Sequence, residues 1–189
     1  MGRAGRGAIL PMRGDSMLPT LRAGQLVAVD LAPVALERGD LLLFRQVDYL
    51  VVHRLLGPAS HEDGTPQLRT RGDGLPGLDP PVDRRRVRGK VVAIEDGGQW
   101  WILGGTGSRV WSLAVALHDL GWAAAGTAAE RIDKLLGTGG VRSWAASADR
   151  VMLALAHRLF FRILHHQTPQ RPSGFHAPPD TAGESSVRR

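Results

Sequence analysis

The chain has 189 residues, 43% of them hydrophobic, a net charge of +6 and no cysteine. That is enough for one domain of ordinary size, or for a compact domain of about 100 residues with an appendage, while the lack of cysteine excludes disulfides, thiolate catalysis and Cys-ligated zinc. The charge is carried by arginine, since Lys90 and Lys134 are the only lysines, and no aromatic-interleaved basic run, Gly-rich phosphate loop or zinc-finger spacing accompanies it, which argues against nucleic acid as a partner.

Residues 1–7 read as a flexible N-terminus. The apolar stretch that follows, Ala8 to Met12, is too short for a signal-peptide core or a membrane span. Residues 8–105 read as a mainly β domain of short twisted strands. The candidate strands are Ala8 to Met12, Gln25 to Leu31, Asp40 to Arg45, Tyr49 to Leu56, Gln67 to Arg71, Val87 to Glu95 and Gln99 to Leu103. Glycine-containing turns punctuate them, and Gln46-Val47-Asp48 is short enough to close a hairpin.

After Gly104-Gly105-Thr106-Gly107 the periodicity becomes helical, with Val110, Leu113, Ala114, Leu117, Leu120 and Gly121 spaced three to four apart. A second amphipathic stretch, Ala148 to His166, puts Val151, Leu155, Leu159 and Ile163 on one face. Residues 108–166 thus read as a helical appendage of two amphipathic helices, and residues 167–189, rich in Pro, Ser, Gly and charge, as a disordered tail. His118 and Asp119 interrupt the first helix, and His157, Arg158 and Arg162 the second, so neither is apolar enough to cross a bilayer. Two uses stay open for this appendage: packing against itself or the sheet, or contact with a membrane surface. The expected location is accordingly peripheral to a membrane, or cytoplasmic.

Four residues carry the candidate chemistry. A serine hydroxyl is a poor nucleophile without a base and a fixed position. Ser16 lies in Gly14-Asp15-Ser16-Met17-Leu18-Pro19, where Gly14 permits close backbone approach and Pro19 stiffens the loop, although a lone turn serine is also an ordinary cap hydroxyl. His53 falls on an otherwise apolar strand with Tyr49, Val51 and Leu55, where an ionisable ring needs a partner, and an imidazole titrates in the range a general base requires. Asp73 follows Gly72 in a turn and Asp79 precedes Pro80-Pro81; either carboxylate suits the ring N–H of His53, and either also suits a solvated turn.

Taken together, Gly14 to Leu21, then Arg38-Gly39-Asp40-Leu41-Leu42-Leu43-Phe44, Val51-Val52-His53-Arg54, Thr70-Arg71-Gly72-Asp73 with Asp79, and Val87-Arg88-Gly89-Lys90-Val91-Val92 form an ordered series. This series resembles the successive boxes of the type I signal peptidase family over residues 8–95. Many members of that family, and the related self-cleaving repressors, use a lysine base. Here the matching position is His53, and neither Lys90 nor Lys134 falls there. The chain therefore resembles the serine–histidine branch found in archaea, the endoplasmic reticulum and some Gram-positive bacteria. The resemblance implies a signal-peptidase-like β fold, Ser16 as nucleophile, His53 as general base, and Asp73 and Asp79 as associated aspartates. Asp79 is the first choice to orient His53, with Asp73 supporting the loop. It further implies cleavage of a precursor or leader peptide after a small residue, with neither metal nor organic cofactor.

Two departures accompany it. Family members usually carry a membrane anchor before the serine box, and none is legible upstream of Ser16. The position two before the nucleophile, often a serine donating to the oxyanion, is Gly14, and a lost donor costs about 3 kcal/mol of transition-state stabilisation if nothing replaces it. His53 follows Ser16 by only 37 residues, so a minimal cleft and a dedicated precursor are expected. The competing readings are a peptide-binding module that has lost turnover and a DNA-linked self-cleaving regulator. The second is disfavoured by the missing lysine base and by the lack of a helix-turn-helix pattern before Ser16.

Overall fold

The run Leu41-Leu42-Leu43-Phe44 has no polar face, so a strand built from it needs cover on both sides. It receives that cover in the computed structural model, which describes residues 7–33, 35–61, 63–136 and 175–176. The strands are β1 (Gly7–Pro11), β2 (Leu26–Asp30), β3 (Leu41–Gln46), β4 (Tyr49–Ser60), β5 (Pro66–Arg71), β6 (Val82–Asp83), β7 (Val87–Asp96), β8 (Gln99–Ile102) and β9 (Phe175–His176). One helix, α1 (Thr106–Leu136), follows β8. The sheet runs β6-β5-β4-β3-β7-β2-β1-β9, with β8 paired to β7, and every pairing is antiparallel except that of β1 with β9.

Alternation along β3 divides the core. Leu41 and Leu43 join Met17, Leu21, Val27, Val29, Val52, Val91 and Ile94 in one cluster, while Leu42 and Phe44 join Leu55, Leu68 and Val82 in another. Met17 and Leu21 come from the serine loop, so the loop that carries Ser16 is anchored by its own buried side chains. Burying a side chain of this size contributes about 1.5–3 kcal/mol.

The architecture is mainly β, as read, with differences at particular places. β4 continues past Leu56 to Ser60, because a register shift between Leu55 and Gly57 absorbs the glycine and keeps the strand paired with β5. Val82–Asp83 pairs with β5 just after the two prolines, and a short 3-10 turn, Arg84–Arg86, capped by the Asp83 side chain, leads into β7. α1 begins at Thr106 and extends to Leu136, well beyond the periodic stretch ending at Gly121. Phe175–His176, within the segment read as a disordered tail, pairs with Gly7 and Ala8. The amphipathic stretch from 148 to 166 lies outside the described residues.

α1 buries Ser108, Val115, Ala116 and Asp119 against the domain and leaves Val110, Leu113 and Leu117 exposed. Among the described residues no helix is long and apolar enough to cross a membrane.

Candidate active site

Adjacent residues on a strand point to opposite faces, and His53 and Arg54 on β4 therefore address different neighbours. His53 is buried and meets Phe44 edge to face, with ring centroids 6.0 Å apart. Its Nε2 lies 3.2 Å from Ser16 Oγ, and its Nδ1 lies 2.7 Å from Asp79 Oδ2. The Thr70 hydroxyl donates to the same Asp79 oxygen at 2.7 Å, and the Asp79 amide donates to Thr70 O at 3.0 Å. A residue on β5 thus holds the aspartate by main chain and side chain together. The tautomer that donates Nδ1–H to Asp79 leaves Nε2 as the acceptor facing the serine hydroxyl, the arrangement a general base uses.

Asp73 takes no part in that line. Arg54 Nε donates to Asp73 Oδ1 at 2.9 Å and Arg54 Nη2 to Asp73 Oδ2 at 2.6 Å, in the two-pronged geometry that suits guanidinium and carboxylate. The Thr20 hydroxyl also donates to Asp73, and Arg54 Nη1 reaches Gly39 O at 3.0 Å. The two side chains are 1% and 0% exposed, so each is the other's necessary partner. Since Thr20 belongs to the serine loop and Arg54 adjoins His53, this buried pair ties the loop bearing the hydroxyl to the strand bearing the imidazole.

The backbone completes the arrangement. Gly74 N–H donates to Ser16 O at 2.9 Å. A Cβ at Gly72 would lie 2.5 Å from Ser16 O and 3.0 Å from His53 Nε2, so only glycine fits beneath the hydroxyl–imidazole contact. Gly14 has φ 74°, a left-handed conformation that side chains resist, and it is exposed with open space around it. Asp15 is exposed and its carbonyl accepts from Leu18 N–H at 3.1 Å. Met17 is buried in the core, and Pro19 is half-buried after a cis Leu18–Pro19 peptide. Ser16 N–H has no acceptor among the described residues, and it is therefore free to donate to an oxyanion.

A second buried ion pair extends the network outward. Arg71, next to Gly72, donates through Nε to Leu75 O at 2.9 Å and through Nη1 to Asp119 Oδ1 of α1 at 3.1 Å. Asp119 Oδ2 is buried without a hydrogen-bond partner among the described residues. Desolvation raises the Asp119 carboxyl to about 6; the Arg71 charge opposes that rise and the Asp73 charge reinforces it.

Of the residues expected from sequence, the structure brings Ser16, His53 and Asp79 into one hydrogen-bonded line and places Asp73 beside it in a separate pair. Sequence reasoning missed Thr20, Arg54, Thr70 and Asp119 as partners of the site. The position of Arg54 directly after His53 was the available signal, since a charged residue on a central strand demands a counter-charge. Comparison with protein-family models, with curated proteins and with solved structures gives no match.

Proposed function

We propose that the chain is a serine endopeptidase of the signal peptidase type, cleaving a leader or signal peptide after a small residue. The observation that carries this reading is the line Ser16 Oγ, His53, Asp79, with contacts of 3.2 and 2.7 Å. In the reaction, Ser16 Oγ attacks the scissile carbonyl while His53 Nε2 takes the hydroxyl proton. Asp79 stabilises the resulting imidazolium and keeps its ring in place. Ser16 N–H donates to the oxyanion, the part of that task not left vacant by Gly14. Collapse expels the downstream amine, which receives the proton from His53, and leaves the upstream peptide as an ester on Ser16. Water then attacks that ester with His53 again as base, releasing the peptide acid and the free serine.

The test is incubation with a panel of extended peptides carrying small residues before the cut, followed by mass spectrometry of the products. The wild-type protein is expected to cleave at a small residue, and Ser16→Ala and His53→Ala to lose that cleavage. Equal cleavage by all three proteins removes the assignment, and binding of a panel peptide without cleavage by the wild type replaces it with a peptide-binding module.

A further inference from the structure

The turn between β3 and β4 places an apolar side chain where the backbone disfavours one. Gln46 pairs with Tyr49, leaving Val47 and Asp48 as the turn, and Val47 has φ 52°. It is the only non-glycine residue with positive φ among the described residues. A β-branched side chain is poorly suited to that region, where glycine or asparagine is the comfortable choice. Val47 gains no burial in exchange: it is 70% exposed, and its neighbours Tyr49 and Leu50 are 59% and 54% exposed.

Arginines lie beside this hairpin, on the β7 side of β3. Val87 pairs with Phe44, which brings the Arg84–Arg86 turn level with Arg45 and the end of β3. Arg45, Arg84, Arg85, Arg86 and Arg88 are all exposed. Arg45 is engaged locally, with Nε donating to Val47 O at 3.0 Å and Nη2 4.0 Å from Asp48. Arg84, Arg85, Arg86 and Arg88 form no ion pair among the described residues.

We propose that the β3–β4 hairpin tip is a docking surface for an anionic phospholipid bilayer, with Val47, Tyr49 and Leu50 entering the interface and Arg84, Arg85, Arg86 and Arg88 resting on the headgroups. A bilayer requires of a hairpin tip only exposed apolar side chains that can leave water and cations beside them, which Val47, Tyr49, Leu50 and the neighbouring arginines supply. Tyrosine, apolar in its ring and polar at its tip, suits that depth. Each arginine near an anionic leaflet raises partitioning by about fivefold. None of these residues belongs to the 108–166 stretch for which the sequence alone suggested membrane contact, and the inference does not depend on the serine–histidine reading.

The experiment is co-sedimentation of the full chain with vesicles of phosphatidylcholine alone or mixed with phosphatidylglycerol. Wild type is expected to bind the mixed vesicles at least tenfold more tightly than the neutral ones. Replacing Arg84, Arg85 and Arg86 together with Gln lowers that binding by about 100-fold, and Val47→Gly with Leu50→Ser lowers it by at least tenfold. Val47→Gly alone melts at or above the wild-type temperature, which separates lost docking from lost folding; a lower melting temperature refutes the strained-turn argument. Since the chain has no cysteine, a polarity-sensitive dye on Leu50→Cys reports insertion directly. Its emission shifts to the blue on mixed vesicles, whereas the same dye on Ser60→Cys, at the opposite end of β4, does not shift. Binding that ignores these substitutions, or no preference for phosphatidylglycerol, overturns the proposal.

Discussion

Asp73 and Asp79 both lie at turns in the sequence, and their exchange for asparagine should separate stability from turnover. In Asp79→Asn the side chain keeps its size and its contact with Thr70, but the charge opposite His53 Nδ1, 2.7 Å away, is gone. An amide there donates as readily as it accepts, so Nε2 no longer faces Ser16 reliably as a proton acceptor. Loss of the corresponding aspartate contact in a serine–histidine–aspartate site lowers turnover about 10⁴-fold. In Asp73→Asn the buried Arg54 guanidinium loses its counter-charge, with both side chains almost fully enclosed. Breaking such a pair costs about 3–5 kcal/mol, a large share of the roughly 5–15 kcal/mol that holds a domain together. The melting temperature should fall by more than about 10 °C. Thermal unfolding by circular dichroism and peptide cleavage of the folded fraction read the two effects. Asp79→Asn should melt near wild type with little cleavage, and Asp73→Asn should melt early while its folded fraction still cleaves. The reverse pattern, or equal loss of cleavage at matched folded fraction, refutes the division of roles.

Other expectations follow from the same geometry. Gly72→Ala forces the Ser16 carbonyl or the imidazole to move, because its new carbon would sit 2.5 Å from Ser16 O; a displacement of about 1 Å costs on the order of 100-fold in rate, and cleavage within fivefold of wild type would contradict the fit. Thr70→Val removes the hydroxyl from Asp79 and should cost about 1 kcal/mol of stability with reduced kcat and unchanged KM for peptide. Asp119 has a folded carboxyl value raised from 3.8 to about 6, so the folded state holds a proton that the unfolded state has released. Its contribution is fully present below pH 3.8 and is lost as pH rises toward 6. Asp119→Asn should therefore gain stability relative to wild type across that window, as read by melting temperature, and a constant difference across it would contradict the raised value.

Much of this domain is legible in its sequence. Alternating apolar runs and glycine turns gave the larger strands to within a few residues, because each has one or two faces that must leave water. β9 and β6 were not legible: two-residue strands carry no period, and their pairing is decided by distant partners on β1 and β5. For the site, the resemblance carried by the boxes around Ser16, His53 and the two aspartates implied the chemistry and favoured Asp79 to orient His53, while spacing alone did not sort Asp73 from Asp79. That choice is made in three dimensions by the alternation of β4, which turns His53 toward Asp79 and Arg54 toward Asp73. Gly72 read as turn punctuation, whereas its role is the space it leaves under Ser16.

The most direct test of the account is whether Ser16 becomes acylated. Wild-type protein mixed with a cleaved panel peptide and quenched in acid should carry the upstream fragment as an ester, and trypsin, cutting after Arg13 and Arg22, should locate it on the peptide spanning Gly14 to Arg22. His53→Ala should accumulate no adduct. An adduct on another residue, or product formed by Ser16→Ala at the wild-type rate, would contradict the claim that Ser16 is the nucleophile.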